Sequence, residues 1–139
     1  GLYASPAYIT KHGKPKDDHA LSNHCVISYS GTNSLPEQEK WSYQSNGENK
    51  TISVSPKFNV NDIESALIAC VAGYGIGKFT ELNAKKALDA KQLQHILKEY
   101  DWGNYNLYAV YPQQQSLPQR TRLLLDFIYA HTKNFLEKI

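Results

Sequence analysis

The sequence predicts an α/β protein whose mixed sheet is flanked by helices on both sides. Apolar segments typical of strands alternate with segments of helical periodicity, in the order hairpin, helix, strand, helix, strand, strand, helix. The segment YNLYAVYP at 105–112 is apolar on both faces, as in a strand at the middle of a sheet. The chain has 139 residues, a length that permits one domain with a substantial core.

The first element is a short helix, predicted near 6–12 by the signals at its two ends. Ser5 is a favourable N-cap residue, and Pro6 occupies the first helical position, where a backbone N–H is not needed. Gly13 can adopt the left-handed conformation that ends a helix, and Pro15 prevents its continuation.

A strand and a hairpin are predicted next. The run HCVISY near 24–29 is apolar and rich in strand-forming residues, which is typical of a buried strand. After a loop, polar and apolar residues alternate on both sides of Asn46-Gly47. The Asn-Gly pair favours the positive φ angles of a type I′ turn, so this segment predicts a hairpin.

The clearest helical periodicity lies in the segment NVNDIESALIACVAGYG. Asn61 is the predicted N-cap, and Glu64, three residues on, resembles the second member of a capping box. Gly73 or Gly75 is expected to end the helix. The apolar residues repeat at helical spacing: Ile63, Ala66, Leu67 and Cys70.

Three short elements and a long helix complete the chain. GIGKF, near 75–79, is predicted to be the start of a short strand, and a helix is predicted to begin at Thr80. LQHIL is predicted to form another short strand. A terminal helix is predicted near 117–136, with Ser116 and Gln119 as a capping box. One face of this helix is apolar: Leu124, Phe127, Ile128, His131 and Phe135.

Composition and charge narrow the class of protein. The formal net charge of +2 is too small to indicate that this chain binds nucleic acid or a membrane surface. No apolar run approaches the ~20 residues of a membrane span, and the opening GLYASPAY does not resemble a secretory leader. Cys25 and Cys70 lie in apolar segments, which predicts buried, reduced thiols in a cytosolic protein, with a redox-sensing pair as the alternative.

Glycines at every second position of CVAGYGIGKF, at 70–79, suggest a phosphate-binding loop, but the order of elements excludes one. A phosphate loop connects a strand to the N-terminus of a helix, whereas here a helix precedes the glycines and a strand follows them. Two interpretations stay open. The glycines either form a helix C-cap and a tight turn, or they let a ligand approach the backbone at Gly75, Ile76 and Gly77.

Side chains that could bind a metal or perform catalysis form no recognisable pattern. His12, His19, His24 and Cys25 lack the spacing of a zinc site, so no metal and no cofactor are predicted. His131 is predicted to be a packed core histidine. No nucleophile with a suitable base is evident, and the chain is therefore predicted not to be an enzyme.

Five stretches together resemble one family. They are LYASPAYITKHGKP, LSNHCVISYS, a tryptophan, NDIESALIACVAGYGIG and YNLYAVYPQQQSLPQRTRLLLDFI, and their spacing resembles the effector-binding domain of LysR-type transcriptional regulators. The final block is the most specific, and it is similar to the branch that contains the contact-regulated repressor type. The resemblance covers nearly the whole chain. Thr80 departs from it, because the family often has proline there.

The resemblance implies a periplasmic-binding-protein-like fold of type 2, in which a small effector binds in a cleft between two lobes. Residues 1–105 would form the second lobe, and 106–139 would supply the returning crossover strand and a terminal helix of the first lobe. In family members the rest of the first lobe and a DNA-binding winged helix-turn-helix lie upstream. This chain is therefore expected to be a fragment of a longer regulator.

The resemblance also implies effector contacts in the loop that follows the first buried strand. This loop contains Tyr29, Ser30, Gly31 and Thr32, and the family's contacts in this lobe fall on the matching loop. Two hydroxyl groups beside an unobstructed glycine N–H suit a carboxylate without a formal charge. The alternative is an ordinary serine and threonine turn.

Other effector contacts are expected at Asn61, at Gly75, Ile76 and Gly77, and at Tyr111. The N–H groups that follow Asn61 at the start of a helix can favour an anion, and the glycines permit a close approach of the backbone. Tyr111, at the end of the crossover strand, is expected to line the hinge. The alternatives are a helix cap for Asn61 and core packing for Tyr111.

The expected function is effector sensing for a bacterial transcriptional regulator of the cytoplasm, with a small organic acid as one candidate effector. DNA would be bound only through the absent N-terminal domain, and no membrane partner is expected. The parent is expected to be a homo-oligomer, and this chain to associate through the unpaired apolar face of its terminal helix. The alternative is a solute-binding protein or an enzyme built on the same fold.

Overall fold

The computed structural model describes residues 1–29, 37–104, 108–110 and 118–136. The chain divides into two compact units, Gly1–Asn104 and Tyr105–Ile139, and the second contains α4 (Gln119–Leu136). The elements of the first unit are, in chain order, β1 (Leu2–Ala4), α1 (Pro6–His12), a 3-10 helix (His19–Asn23), β2 (Val26–Tyr29), β3 (Glu39–Ser45), β4 (Glu48–Val54), β5 (Pro56–Val60), α2 (Ile63–Val71), β6 (Ile76–Lys78), α3 (Glu81–Asp89) and β7 (Gln94–Ile96).

A five-stranded sheet with the order β5-β2-β6-β1-β7 organises the first unit. β2 is parallel to both β5 and β6, whereas β1 is antiparallel to both β6 and β7. β3 and β4 form a separate antiparallel pair. The combination of parallel and antiparallel neighbours confirms the predicted mixed sheet of an α/β fold.

Two apolar clusters lie on the two faces of the five-stranded sheet, because successive side chains of a strand point in opposite directions. In β1, Leu2 and Ala4 belong to the first cluster and Tyr3 belongs to the second. The first cluster also contains residues of α1 and of the β3–β4 hairpin, and the second contains residues of α2 and α3. Helices therefore cover both faces of the sheet, as predicted.

The ends of α1 confirm the signals read from its sequence. The Ser5 side-chain oxygen accepts a hydrogen bond from the Tyr8 N–H at 3.2 Å, which satisfies a donor of the first turn. Gly13 follows the helix with a φ of 80°, and its N–H donates to the Ile9 carbonyl at 2.8 Å. A residue with a Cβ would be strained at this φ.

The β3–β4 hairpin also confirms its prediction. Asn46 and Gly47 have φ angles of 53° and 79°, the positive values that a type I′ turn requires. Ser45 and Glu48 are the last paired residues before this turn. β2, at Val26–Tyr29, lies within the predicted strand at 24–29.

The start of α2 corrects one prediction. The N-cap is Asp62 and not Asn61, because the Asp62 carboxylate accepts a hydrogen bond from the Ser65 N–H at 2.8 Å. An N-cap side chain must reach the backbone two or three residues on, and only local geometry decides which of two adjacent candidates does so. At its other end α2 is capped by Ala72, and Gly73 follows with a φ of 86°. Of the two glycines expected to end the helix, Gly73 is therefore the one that does so.

The start of α3 and the position of β7 also agree with the sequence. Thr80 caps α3, with its hydroxyl oxygen accepting from the Asn83 N–H at 3.2 Å. Gln94–Ile96 forms the predicted short strand, which pairs with β1. None of the helices in the described ranges has the length and apolar character needed to cross a membrane.

The predicted strand at 105–112 is not confirmed where the structure describes it. Residues 108–110 have no strand conformation, and Tyr108 and Val110 are 75% and 94% exposed. A strand is stabilised by a neighbouring strand, and the described residues of the second unit contain none that could pair with this segment. Residues 105–107 and 111–112 lie outside the described ranges.

The terminal helix α4 is present, but its apolar face is exposed. Leu124, Phe127 and Ile128 are 57%, 59% and 45% exposed. The prediction of a packed core histidine at His131 is wrong: this residue is exposed, and its ring lies 4.3 Å from that of Phe127. Its position on an apolar face predicts burial only when another surface covers that face. The proposed cap Ser116 and the Phe135 side chain are outside the described part of the chain.

Candidate functional site

Four strands of the five-stranded sheet run in the same direction and end at the same edge, which is called the carboxyl edge below. The last residues of these strands are Tyr29 of β2, Val60 of β5, Lys78 of β6 and Ile96 of β7. The helices α2 and α3 begin directly after β5 and β6 and therefore present their first turns there. In open α/β sheets, ligands bind at the carboxyl ends of the strands. This edge is the candidate functional site.

Two of the predicted effector contacts meet at the carboxyl edge. Tyr29 is paired in register with Val60, and Asn61 comes directly after Val60. Asn61 is exposed, and its side chain is free of the capping role because Asp62 performs it. Tyr29 is half-buried, and its ring stacks on that of Phe79 with centroids 6.3 Å apart and planes 12° apart.

Gly75 lies at the opposite edge, where β2 begins. The N–H of Ile76 donates to the Cys25 carbonyl at 2.8 Å, and a Cβ added to Gly75 would lie 2.6 Å from that oxygen. The residues from Val26 to Tyr29 separate the two edges by roughly 10 Å, at ~3.3 Å per residue. The structure therefore does not bring Gly75 together with Tyr29.

Packing within the chain explains why glycine occupies positions 75 and 77. Gly75 permits β6 to approach β2, and a Cβ added to Gly77 would lie 2.3 Å from the Phe79 ring. Ile76, between them, is fully buried in the first cluster. Effector contacts at these three positions stay a prediction, as do those at Ser30, Gly31, Thr32 and Tyr111, which lie outside the described residues.

A row of aromatic rings lies under the carboxyl edge and was not predicted from the sequence. The Phe79 ring stacks on Tyr29 and on Tyr3, with centroids 6.3 Å apart in both pairs. The Tyr3 ring in turn lies 4.8 Å from that of His95. The rings come from three different strands and the residue after a fourth, so only the sheet order brings them together.

Lys78 supplies positive charge at the carboxyl edge, and sequence reasoning missed it as well. Its ammonium nitrogen lies 5.9 Å from the centre of the Trp102 ring, within the range of a cation–π contact. Burial lowers the pKa of Lys78, and the nearby Glu39 carboxylate raises it. The available signal was position: Lys78 is the last residue of a strand that leads into a helix.

Glu39 is the acidic neighbour of this lysine. One oxygen of its carboxylate accepts a hydrogen bond from the Trp41 indole N–H at 2.9 Å. The other oxygen is buried and has no hydrogen-bond partner among the described residues. No ion pair joins Glu39 to Lys78 in this part of the chain, although their charges interact. The lysine is therefore available to another anion.

The first turn of α2 is less suited to an anion than the sequence suggested. The Asp62 carboxylate already accepts from the Ser65 N–H, and hydrogen bonding to Ser65 lowers the pKa of Asp62. Glu64 adds a second acidic residue in the same turn. Two carboxylates compensate the positive end of the helix dipole and repel a further anion. An anionic group would therefore be favoured near Lys78 and disfavoured at the start of α2.

The two cysteines are thiols with different environments. The Cys70 thiol is fully buried, and it contacts the carbonyl oxygens of Tyr3 and Gly75 at 3.3 and 3.4 Å. Burial raises the pKa of Cys70 to about 12, so the thiol is protonated. Cys25 is only partly buried, and burial raises its pKa as well. The prediction of a buried thiol is confirmed for Cys70 and only in part for Cys25.

No cluster of three or more histidine, cysteine, aspartate or glutamate side chains that could hold a metal ion occurs within the described ranges. The mixed sheet, the helices on both faces and the carboxyl edge define a lobe of a periplasmic-binding-protein-like domain. Comparison with known proteins gives the family. The chain belongs to the LysR substrate-binding domain family, whose model matches residues 1–133.

Curated relatives and solved structures agree with this membership. The chain is 28% identical over 143 residues to the uncharacterized HTH-type transcriptional regulator YhjC of Escherichia coli K12, covering 96% of this chain and 44% of the relative. It is 25% identical over 136 residues to the HTH-type transcriptional regulator CrgA of Neisseria meningitidis, covering 97% of this chain and 44% of CrgA. The chain thus spans less than half the length of these relatives. The resemblance to the contact-regulated repressor branch is confirmed.

Two solved regulatory domains show the same fold. The CrgA regulatory domain of Neisseria meningitidis superposes with a TM-score of 0.68 at 24% identity, covering 94% of this chain and 62% of that one. The AphB regulatory domain of Vibrio vulnificus gives a TM-score of 0.66 at 24% identity, covering 94% of this chain and 63% of that one. The predicted fold class, a periplasmic-binding-protein-like lobe of type 2, is confirmed.

Proposed function

We propose that this chain is the effector-sensing part of a bacterial LysR-type transcriptional regulator, in which a small molecule bound at the carboxyl edge controls DNA binding by a winged helix-turn-helix elsewhere in the gene product. Family membership supports the regulatory role. The observation that carries the location of the site is the convergence of β2, β5 and β6 at one edge, where Tyr29 and Asn61 lie together.

The proposed effector is a small organic acid. Lys78 offers a cation at the carboxyl edge, and it makes no ion pair within the described residues. The predicted loop contacts Ser30, Gly31 and Thr32 follow Tyr29 directly in the sequence and would add uncharged donors beside this cation. The carboxylates of Asp62 and Glu64 would exclude a second negative group from the α2 side. A monocarboxylate fits this distribution of charge better than a dicarboxylate.

We also propose the division of the chain that the family fold implies. Residues 1–105 would form the second lobe, and 106–139 would belong to the first lobe with its returning strand. The separation of the chain into compact units at Asn104 and Tyr105 supports this boundary. The regulator would act in the cytoplasm as a homo-oligomer, and its contact with DNA would lie outside this chain.

The mechanism is a shift between conformations of the two lobes. An effector that binds the closed arrangement more tightly than the open one changes their populations, and the domain performs no reaction. Coupling energies of this kind are typically ~1–3 kcal/mol, which corresponds to roughly 5- to 150-fold changes in DNA affinity. The domain is therefore proposed to sense and not to catalyse.

A thermal-shift screen of small monocarboxylates against the product of the gene that encodes this chain tests the proposal. Stabilisation follows RT ln(1 + [L]/Kd), so weak binders are detected at high concentration. The shift caused by an active acid should be lost in Lys78→Gln and retained in Lys50→Gln, because Lys50 is an exposed lysine of the hairpin. Equal thermal shifts in both variants would refute the proposed site. Turnover of the acid would refute the proposal that the domain senses and does not catalyse.

A further inference from the structure

A depression on the first unit lies beside β7, at the opposite end of the strand order from Tyr29 and Asn61. β7 is the last strand in the order of the described sheet and pairs only with β1 there. A groove of about 630 Å³ runs along it, within the usual size range of small-molecule sites. It is called the β7 groove below, and it is lined by Lys14, Glu81, Leu88, Leu93, His95 and Lys98.

The β7 groove carries an excess of positive charge. Lys14 and Lys98 contribute two ammonium groups, and Glu81 contributes one carboxylate. Burial lowers the pKa of His95 most, Lys98 and Lys14 lower it further, and Glu81 raises it. The positive charges of Lys14 and Lys98 therefore have a larger combined effect at the His95 ring than the negative charge of Glu81. An anion would be favoured in the groove.

The groove also offers an apolar surface. Leu93 is 2% exposed and belongs to the second cluster, and the partly buried Leu88 packs against the same cluster. These two leucines fix an apolar wall to the core of the unit. His95 is held against Tyr3, with ring centroids 4.8 Å apart. The groove is thus built on side chains whose positions are set by the core, with the exposed side chains of Lys14 and Lys98 at its borders.

We propose that the β7 groove is a second binding site, separate from the site at Tyr29, Asn61 and Lys78, for an organic monoanion with a short apolar body. The apolar part lies against Leu88 and Leu93, and the negative group lies between the ammonium groups of Lys14 and Lys98. A dianion is less suitable, because Glu81 repels a second negative charge. A neutral compound of the same shape loses the contacts with both lysines.

The test measures binding of hexanoate to the 139-residue chain, with hexanamide as a neutral compound of nearly the same shape. Calorimetry gives the affinities, and the ring C–H signals of the histidines are followed by NMR. Hexanoate should bind at least tenfold more tightly than hexanamide and should shift the signals of His95. The Lys14→Gln/Lys98→Gln variant should weaken hexanoate binding about tenfold, as expected when two exposed charge contacts are lost.

Two control variants make the result specific. Lys40→Gln/Lys50→Gln removes two exposed lysines from the hairpin and should leave the affinity unchanged. Lys78→Gln reports binding at the proposed effector site and should also leave the affinity for hexanoate unchanged. The proposal is overturned if hexanoate does not bind, if hexanamide binds equally well, if the hairpin variant loses as much affinity as the groove variant, or if Lys78→Gln alone weakens binding.

Discussion

Among single residues, the two thiols have the most sharply contrasting environments. Cys70 is fully buried and its pKa is raised to about 12, whereas Cys25 is partly exposed. Because only the thiolate reacts, a disulfide reagent at pH 8 should modify Cys25 first and Cys70 only after the chain opens. The measurement is the number of thiols titrated over time, with denatured protein as the control in which both react. Rapid modification of both thiols in the native chain would contradict this packing.

The hydrogen bond between Tyr8 of α1 and His24, which precedes β2, predicts how the free energy of unfolding depends on pH. The Tyr8 hydroxyl oxygen accepts from the Cys25 N–H at 2.9 Å and lies 3.1 Å from His24 Nδ1, so a neutral His24 can accept the Tyr8 proton. Burial, and then the charge of His12, lower the pKa of His24 from its ordinary 6.5. The unfolded chain therefore binds a proton more readily than the folded chain.

Because His24 and His95 both have lowered pKa values, the free energy of unfolding should be greatest above pH 6.5 and should fall as the pH decreases below it. Urea denaturation between pH 5 and 8 measures the slope. His24→Asn keeps an acceptor for Tyr8 but cannot be protonated, so the slope of this variant should be smaller than that of the unmodified chain. An unchanged slope in this variant would show that His24 does not titrate as proposed.

At the level of helices and strands, the two adjacent residues at the start of α2 allow a matched comparison. Asp62 makes the capping hydrogen bond, and Asn61 is exposed without that role. Asp62→Ala should reduce the free energy of unfolding, which is the usual effect of losing a cap. Asn61→Ala should change it by less than about 0.5 kcal/mol, as at other surface positions. Urea denaturation of both variants would reveal the reverse order if Asn61 were the cap.

Local signals in the sequence were sufficient for most elements. The caps of α1 and α3 and the Asn46-Gly47 turn follow from residues within a few positions of one another, and the structure confirms them. Contacts between distant residues could not be predicted in this way. The proximity of Gly75 to the Cys25 carbonyl depends on the order of strands, and so the glycines were open to two interpretations.

For the candidate site, too, local signals could be predicted from the sequence and contacts between distant residues could not. Tyr29 was identified as the end of a predicted strand and Asn61 as the start of a predicted helix, and the parallel pairing of β2 with β5 places them at one edge. Lys78 was missed although its position at the end of a strand could be read from the sequence, and only its placement over the Trp102 ring needed the structure. The apolar pattern at 105–112 predicted a strand, but an apolar segment needs a neighbouring strand, and the second unit supplies none among its described residues.

At the scale of the whole molecule, the exposed face of α4 predicts self-association. Leu124, Phe127 and Ile128 present a continuous apolar surface, and such surfaces tend to be covered by another protein surface. Sedimentation of the 139-residue chain should show dimers or larger species at micromolar concentration. Phe127→Glu should shift the distribution to monomer, and Arg122→Gln, an exposed position of the same helix, should not. A monomeric wild-type chain would contradict this prediction.

The function proposed for the whole molecule depends on communication between the carboxyl edge and DNA. Family membership supports that role, and the position of Lys78 beside the ends of parallel strands suggests how an acid would be recognised. An exported solute-binding protein with the same fold would bind a ligand equally well. Ligand binding alone therefore cannot separate the two classes, whereas an effect of the ligand on DNA affinity can.

The most direct measurement is the affinity of the full gene product for the DNA upstream of its own gene, with and without the monocarboxylate selected by thermal shift. Fluorescence anisotropy at fixed salt should show a change of at least about fivefold, as expected for a coupling of ~1 kcal/mol, and Lys78→Gln should abolish the change while leaving effector-free DNA binding intact. If the acid binds at the carboxyl edge and DNA affinity does not change, or if the gene product does not bind DNA, the account is wrong.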